Sequence, residues 1–73
     1  MFAYLKGKLA YKSNDNVIVD VNGVGYSLLI PYSTYQLLPD IEQDIKLYTY
    51  MAVREDNVSL FGFFSLEEKR VFE

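Results

Sequence analysis

The chain has 73 residues, a formal net charge of −3, 51% apolar residues, and neither cysteine nor histidine. That length allows one small domain, and the missing residue types exclude disulfides and a conventional zinc site. The apolar share excludes a disordered chain, no apolar run approaches membrane-spanning length, and the mild acidity disfavours a nonspecific polyanion binder.

Met1 is not followed by a basic and then an apolar segment, so the expected location is the cytoplasm, with no membrane partner. At this size apolar burial barely exceeds a conformational cost of roughly 1.5 kcal/mol per ordered residue. Stability must then come from a well-packed barrel, from self-association or from a longer parent chain.

Tyr4, Lys6 and Lys8 alternate with Leu5, Gly7 and Leu9. This predicts a first strand with two ammonium groups on one face and apolar groups on the other, and Gly7 as a bend or bulge. Lys12-Ser13-Asn14-Asp15-Asn16 is a run of turn formers, after which Val17, Val19 and Val21 alternate with Ile18, Asp20 and Asn22 in a second strand. Asn22-Gly23 predicts a tight hairpin because both accept positive φ, and Gly25 adds freedom two residues later. Tyr26, Leu28 and Ile30 form a third strand, with Tyr26 in the core, Leu29 on the opposite face and Pro31 as the stop. Ser33-Thr34-Tyr35-Gln36 fits a capping box, so one short helical turn is expected before Leu37-Leu38-Pro39-Asp40.

Ile45, Leu47, Thr49, Met51 and Val53 alternate with Lys46, Tyr48, Tyr50, Ala52 and Arg54, the period of a fourth strand buried on one side. Val58 and Leu60 resume the apolar face in a fifth. Between these strands stands Arg54-Glu55-Asp56-Asn57, whose strongly hydrated side chains must project into solvent or towards a partner. Gly62 reads as a bulge or a close backbone approach. From Ser65 the period changes. Ser65-Leu66-Glu67-Glu68 fits a second capping box, and Glu67 and Glu68 precede Lys69 and Arg70 in the order that the helix dipole favours. The fold class expected is all-β: a five-stranded OB-type barrel with one short helical turn between strands 3 and 4 and the start of a C-terminal helix. Residues 1–64 are expected to form the barrel domain and 65–73 the first turns of a helix leading into a further domain.

Glu55 and Asp56 are the chief candidates for a site. On residues alone they are equally a solvated hairpin end that blunts an edge. Lys6 and Lys8, with Arg54, could touch a nucleic-acid backbone, although exposed strand lysines more often have only a structural role. The seven tyrosines raise the prospect of base stacking, but the sequence shows no basic groove beside them. Without histidine or cysteine no catalytic set is expected. Two carboxylates on a tip would hold magnesium only weakly, no phosphate-binding loop occurs, and no cofactor is expected. Asn22, Gly23, Gly25 and Gly62 are assigned to structural turns. Tyr48, Tyr50 and Leu29 are candidates for a subunit seam.

Gly7-Lys8-Leu9, Asp20-Val21-Asn22-Gly23-Val24-Gly25-Tyr26, Val53-Arg54-Glu55-Asp56 and Leu60-Phe61-Gly62-Phe63 resemble, in order and spacing, the N-terminal domain of RuvA, the Holliday-junction-binding subunit of the RuvAB branch-migration machine. The resemblance runs from Met1 to about Phe72, and Phe61 stands where many relatives carry tyrosine. It implies an OB-type barrel in a fourfold homotetramer on which a four-way DNA junction lies flat, with Glu55 and Asp56 as an acidic pin at its centre. It further implies a role in DNA recombination and in DNA repair after DNA damage, within the SOS response. The partners it implies are a RuvB-type hexameric ATPase, which would carry the ATP chemistry, and a RuvC-type resolvase. Duplex gripping would belong to helix-hairpin-helix elements outside these residues. The alternatives are a generic OB-fold module for single strands and a purely structural oligomerisation domain.

Overall fold

The computed structural model describes residues 3–72. Its elements run β1 (Tyr4–Lys12), β2 (Asn16–Val21), β3 (Val24–Leu29), α1 (Tyr32–Tyr35), β4 (Asp44–Val53), β5 (Val58–Phe63) and α2 (Leu66–Phe72). The strands close into a barrel in the order β1-β2-β3-β5-β4, the all-β, OB-type arrangement expected from the alternation.

Period-two patterning places the core. Leu5 and Leu9 of β1, Val17 and Val19 of β2, Leu28 of β3 and Ile45 and Leu47 of β4 all point inward and are buried, whereas Phe63 of β5, opposite Tyr48, is buried outside this cluster. Tyr26 is half-buried and packs against this cluster. Closure depends on β1, whose first half pairs with β4 (Tyr4 to Lys8) and whose second half pairs with β2 (Lys8 to Lys12). A strand that serves two neighbours must coil sharply, and it does so at two points. The register slips by one residue between Leu9 and Tyr11, so the bulge falls at Ala10. Gly7, expected as the bend or bulge, is instead a close approach: a Cβ there would lie 2.3 Å from the Asp20 carbonyl oxygen.

The two-residue loop Asn22-Gly23 joins β2 to β3 with φ of 53° and 87°, the positive pair that a tight hairpin requires. The Gly23 amide also donates to Asp20 Oδ1 at 2.8 Å. Gly25 and Gly62 are not turn residues. Gly25 lies within β3 opposite Asp20, and Gly62 lies in regular register opposite Thr49. Gly62 makes room, since a Cβ would come within 3.1 Å of Leu28 Cδ1 and 3.3 Å of Leu47 Cδ1.

Ser33 does not cap α1. Pro31 holds the N-cap position with extended backbone (φ −74°, ψ 160°), and its carbonyl accepts from the amides of Thr34 and Tyr35. Ser33 is thus inside the helix and donates outward to Glu68 Oε2 at 2.7 Å. The second capping box is half realised: the Glu68 amide donates to Ser65 Oγ at 3.1 Å, while the Glu68 carboxylate joins α2 to α1. Glu67 and Glu68 lie in the first turn of α2, Lys69 and Arg70 in the last.

Candidate functional site

The β4–β5 hairpin is longer than the barrel wall that supports it. β1 accompanies β4 only as far as Tyr48, with one further bond from the Thr49 amide to the Ala3 carbonyl. Beyond that point β4 has β5 as its partner in the ladder, through Val53 opposite Val58. The chain leaves the core as a two-stranded ribbon, and burial falls along it: Thr49 is buried, Met51 half-buried and Val53 70% exposed. Val58, expected to resume the apolar face, is 61% exposed because its partner already stands clear of the barrel. Leu60 is half-buried.

The ribbon ends in Arg54-Glu55-Asp56-Asn57, all exposed and closed by a bond from the Arg54 amide to the Asn57 carbonyl at 2.8 Å. Four strand steps of about 3.4 Å separate Tyr50 from Arg54, so the tip stands roughly 14 Å beyond the supported wall. Two adjacent carboxylates and a guanidinium are held there by backbone geometry.

The other sequence candidates lie elsewhere, on the outer face of β1 and β4. The register places three rows across these strands: Tyr4 opposite Tyr48, Lys6 opposite Lys46, and Lys8 opposite Asp44. Lys8 also faces Asp20 on β2. It is 3.6 Å from Asp44 Oδ1 with both side chains well exposed, an arrangement worth at most about 1 kcal/mol that nevertheless neutralises Lys8 locally. Lys46 bends away from Lys6, with Nζ 4.5 Å from the Tyr4 ring centroid and 5.2 Å from that of Tyr48. Such contacts contribute about 0.5–1 kcal/mol at exposed positions.

Tyr4, Lys6, Lys46 and Tyr48 share one surface, so two lysines stand beside two of the tyrosines. Lys46 and Tyr4 lie in different strands, and alternation within each strand says nothing of the register that brings them together. The structure does not bring Lys6 or Lys8 to the Arg54–Asn57 tip, since they pair at the opposite end of β4. Leu29, at 41% exposure, pairs with Phe61 where β3 meets β5 in parallel. Tyr48 and Tyr50 are half-buried. Among the described residues no helix is long and apolar enough to cross a membrane.

The chain is thus a closed OB-type barrel domain that extends one hairpin past its wall and tips it with paired acids. Sequence comparison narrows the class. The chain belongs to the RuvA N-terminal domain family, whose model matches residues 1–62. It is 52% identical over all 73 residues to the Holliday junction branch migration complex subunit RuvA of Acetivibrio thermocellus and 51% identical over the same span to that of Geobacter sulfurreducens. To that of Amoebophilus asiaticus it is 44% identical over 72 residues. The chain covers 36% of the length of the first of these relatives and 37% of the other two.

Proposed function

We propose that this domain serves a Holliday-junction-binding subunit of a branch-migration complex, and that Glu55 and Asp56 act as a pin that shapes the junction crossover. The observation that carries this reading is the ribbon itself: a hairpin that outruns its supporting strands and ends in two exposed carboxylates, in a chain of the RuvA N-terminal family.

The chemistry is repulsion. A carboxylate about 6 Å from a phosphate opposes it by roughly 0.7 kcal/mol in bulk water, and more at a partly desolvated interface. Fourfold repetition in a homotetramer multiplies the effect at the centre, while a Debye length of about 8 Å confines it there. Strands at the crossover are pushed apart, and duplex arms farther out are held undisturbed. Arg54 beside the acids contacts a neighbouring phosphate or orients them. In this reading residues 1–64 supply the tetramer core, and helix-hairpin-helix elements following residues 65–73 grip the duplex arms. A RuvB-type ATPase drives movement, and a RuvC-type resolvase shares the junction.

The test is neutralisation of both acids, Glu55→Gln with Asp56→Asn, in the full-length protein. Junction affinity measured by fluorescence anisotropy is expected to stay level or rise. A collapse of affinity would show that the tip attracts DNA, and the pin reading would be abandoned.

A further inference from the structure

We propose that the outer wall of β1 and β4 is a second nucleic-acid contact, on which Lys6 and Lys46 seat the phosphodiester backbone of a DNA strand. This rests on the DNA-binding function proposed above but concerns a different surface.

Like charges directly opposite on neighbouring strands oppose sheet formation, and the Lys6–Lys46 row is such a pair. Each neighbouring charge is answered in some other way. Lys8 has Asp44 beside it and Asp20 across from it. Lys46 rests on the rings of Tyr4 and Tyr48, whose quadrupoles hold the ammonium in place without cancelling its charge. Among the described residues no carboxylate pairs with Lys6. In a chain of net charge −3, two adjacent uncompensated ammonium groups are a local feature and not a consequence of overall basicity. A phosphodiester backbone supplies the missing counter-charge.

The surroundings give the seat a direction. Asp20 and Asp44 close one end of it, so a strand leaves across the Tyr4–Tyr48 row, where exposed aromatic surface (Tyr4 is 51% exposed) meets a sugar or base. The aromatic flank is what favours nucleic acid over an acidic polypeptide. Distance keeps the seat independent of the pin. Eight strand steps of about 3.4 Å place Lys46 roughly 27 Å along β4 from Arg54, more than three Debye lengths of about 8 Å at physiological salt.

The experiment uses the 73-residue chain, ¹⁵N-labelled and titrated at low salt with a mixed-sequence DNA duplex, beside the Lys6→Gln/Lys46→Gln variant. Amides of Leu5–Lys8 and Ile45–Tyr48 are expected to shift, and the double variant to lose those shifts while keeping its spectral dispersion. Relief of the like-charge pair offsets the small loss of the Lys46 contacts with the Tyr4 and Tyr48 rings, so the fold is expected to hold. The slope of log affinity against log salt, read by anisotropy, should fall in magnitude by about 1.8, at about 0.9 for each phosphate contact released. The Lys6→Arg/Lys46→Arg variant should restore both readouts.

Shifts confined to residues 54–57, or a salt slope indifferent to the double glutamine variant, would overturn the wall and leave the pin untouched. Equal response to poly-glutamate would overturn the assignment to DNA. Failure of the pin has a separate signature, a collapse of junction affinity in the Glu55→Gln/Asp56→Asn protein with the wall shifts intact.

Discussion

Gly7 and Gly25 show how little a residue's identity says without its neighbours. Both sit in strands without positive φ, yet a Cβ at Gly7 meets backbone, the Asp20 carbonyl oxygen at 2.3 Å, whereas at Gly25 it meets only the Cγ2 of Ile18 at 3.3 Å. A carbonyl held in a ladder cannot retreat as a side-chain methyl can. Gly7→Ala is therefore expected to destabilise the protein by at least about 2 kcal/mol, at the upper end of overpacking costs, and Gly25→Ala by less than about 1 kcal/mol. Urea unfolding of the two variants measures the contrast, and equal effects would remove the close approach as the reason for Gly7. The sequence marked Gly7 as special but not why. A bulge is defined by register against a partner strand, and it falls at Ala10, where no glycine advertises it.

Ser33 and Ser65 pose the same problem for whole elements. Each opens a Ser-x-x-Gln or Ser-x-x-Glu pattern, and only Ser65 caps a helix. Pro31 decides the outcome: with φ fixed and no amide to donate, it suits the helix entrance, so α1 starts two residues before the pattern suggests. Glu68 then serves α1 through Ser33, and does not complete its own box. The Ser65 hydroxyl satisfies a first-turn amide of α2 that no intrahelical carbonyl reaches. Ser65→Ala is expected to cost about 1 kcal/mol of helix stability, and Ser33→Ala about half as much, because it loses only an exposed bond. The Cα chemical shifts of residues 66–70 report the difference, moving towards random coil more in Ser65→Ala than in Ser33→Ala.

At the scale of the molecule, the strands and the inward-facing residues were legible because period-two alternation is local. Closure of β3 on β5, and the register that sets Lys46 over Tyr4, join positions far apart in sequence and left no local trace. The tip was legible in composition, since four hydrated residues between apolar strands have nowhere else to go; its reach beyond β1 depended on where β1 ends. That reach separates the tip from what stabilises the barrel, and the molecule contains the means to test this. Val21-Asn22-Gly23-Val24 already joins two of its strands by a two-residue turn, and Val53 and Val58 stand opposite each other just as Val21 and Val24 do. Replacing Arg54–Asn57 with Asn-Gly should preserve the register and shorten the ribbon. It removes no buried side chain, so the melting temperature should stay within about 4 °C, which corresponds to less than about 1 kcal/mol in a domain of this size. If the charges served only to blunt an edge, the grafted protein would aggregate as the exposed Val53–Val58 pair lost its cover, with scattering rising at temperatures well below the melt. A cooperative melt without scattering, with junction affinity in the full-length protein unchanged or tighter, is the result expected of a tip that acts on DNA and not on the fold.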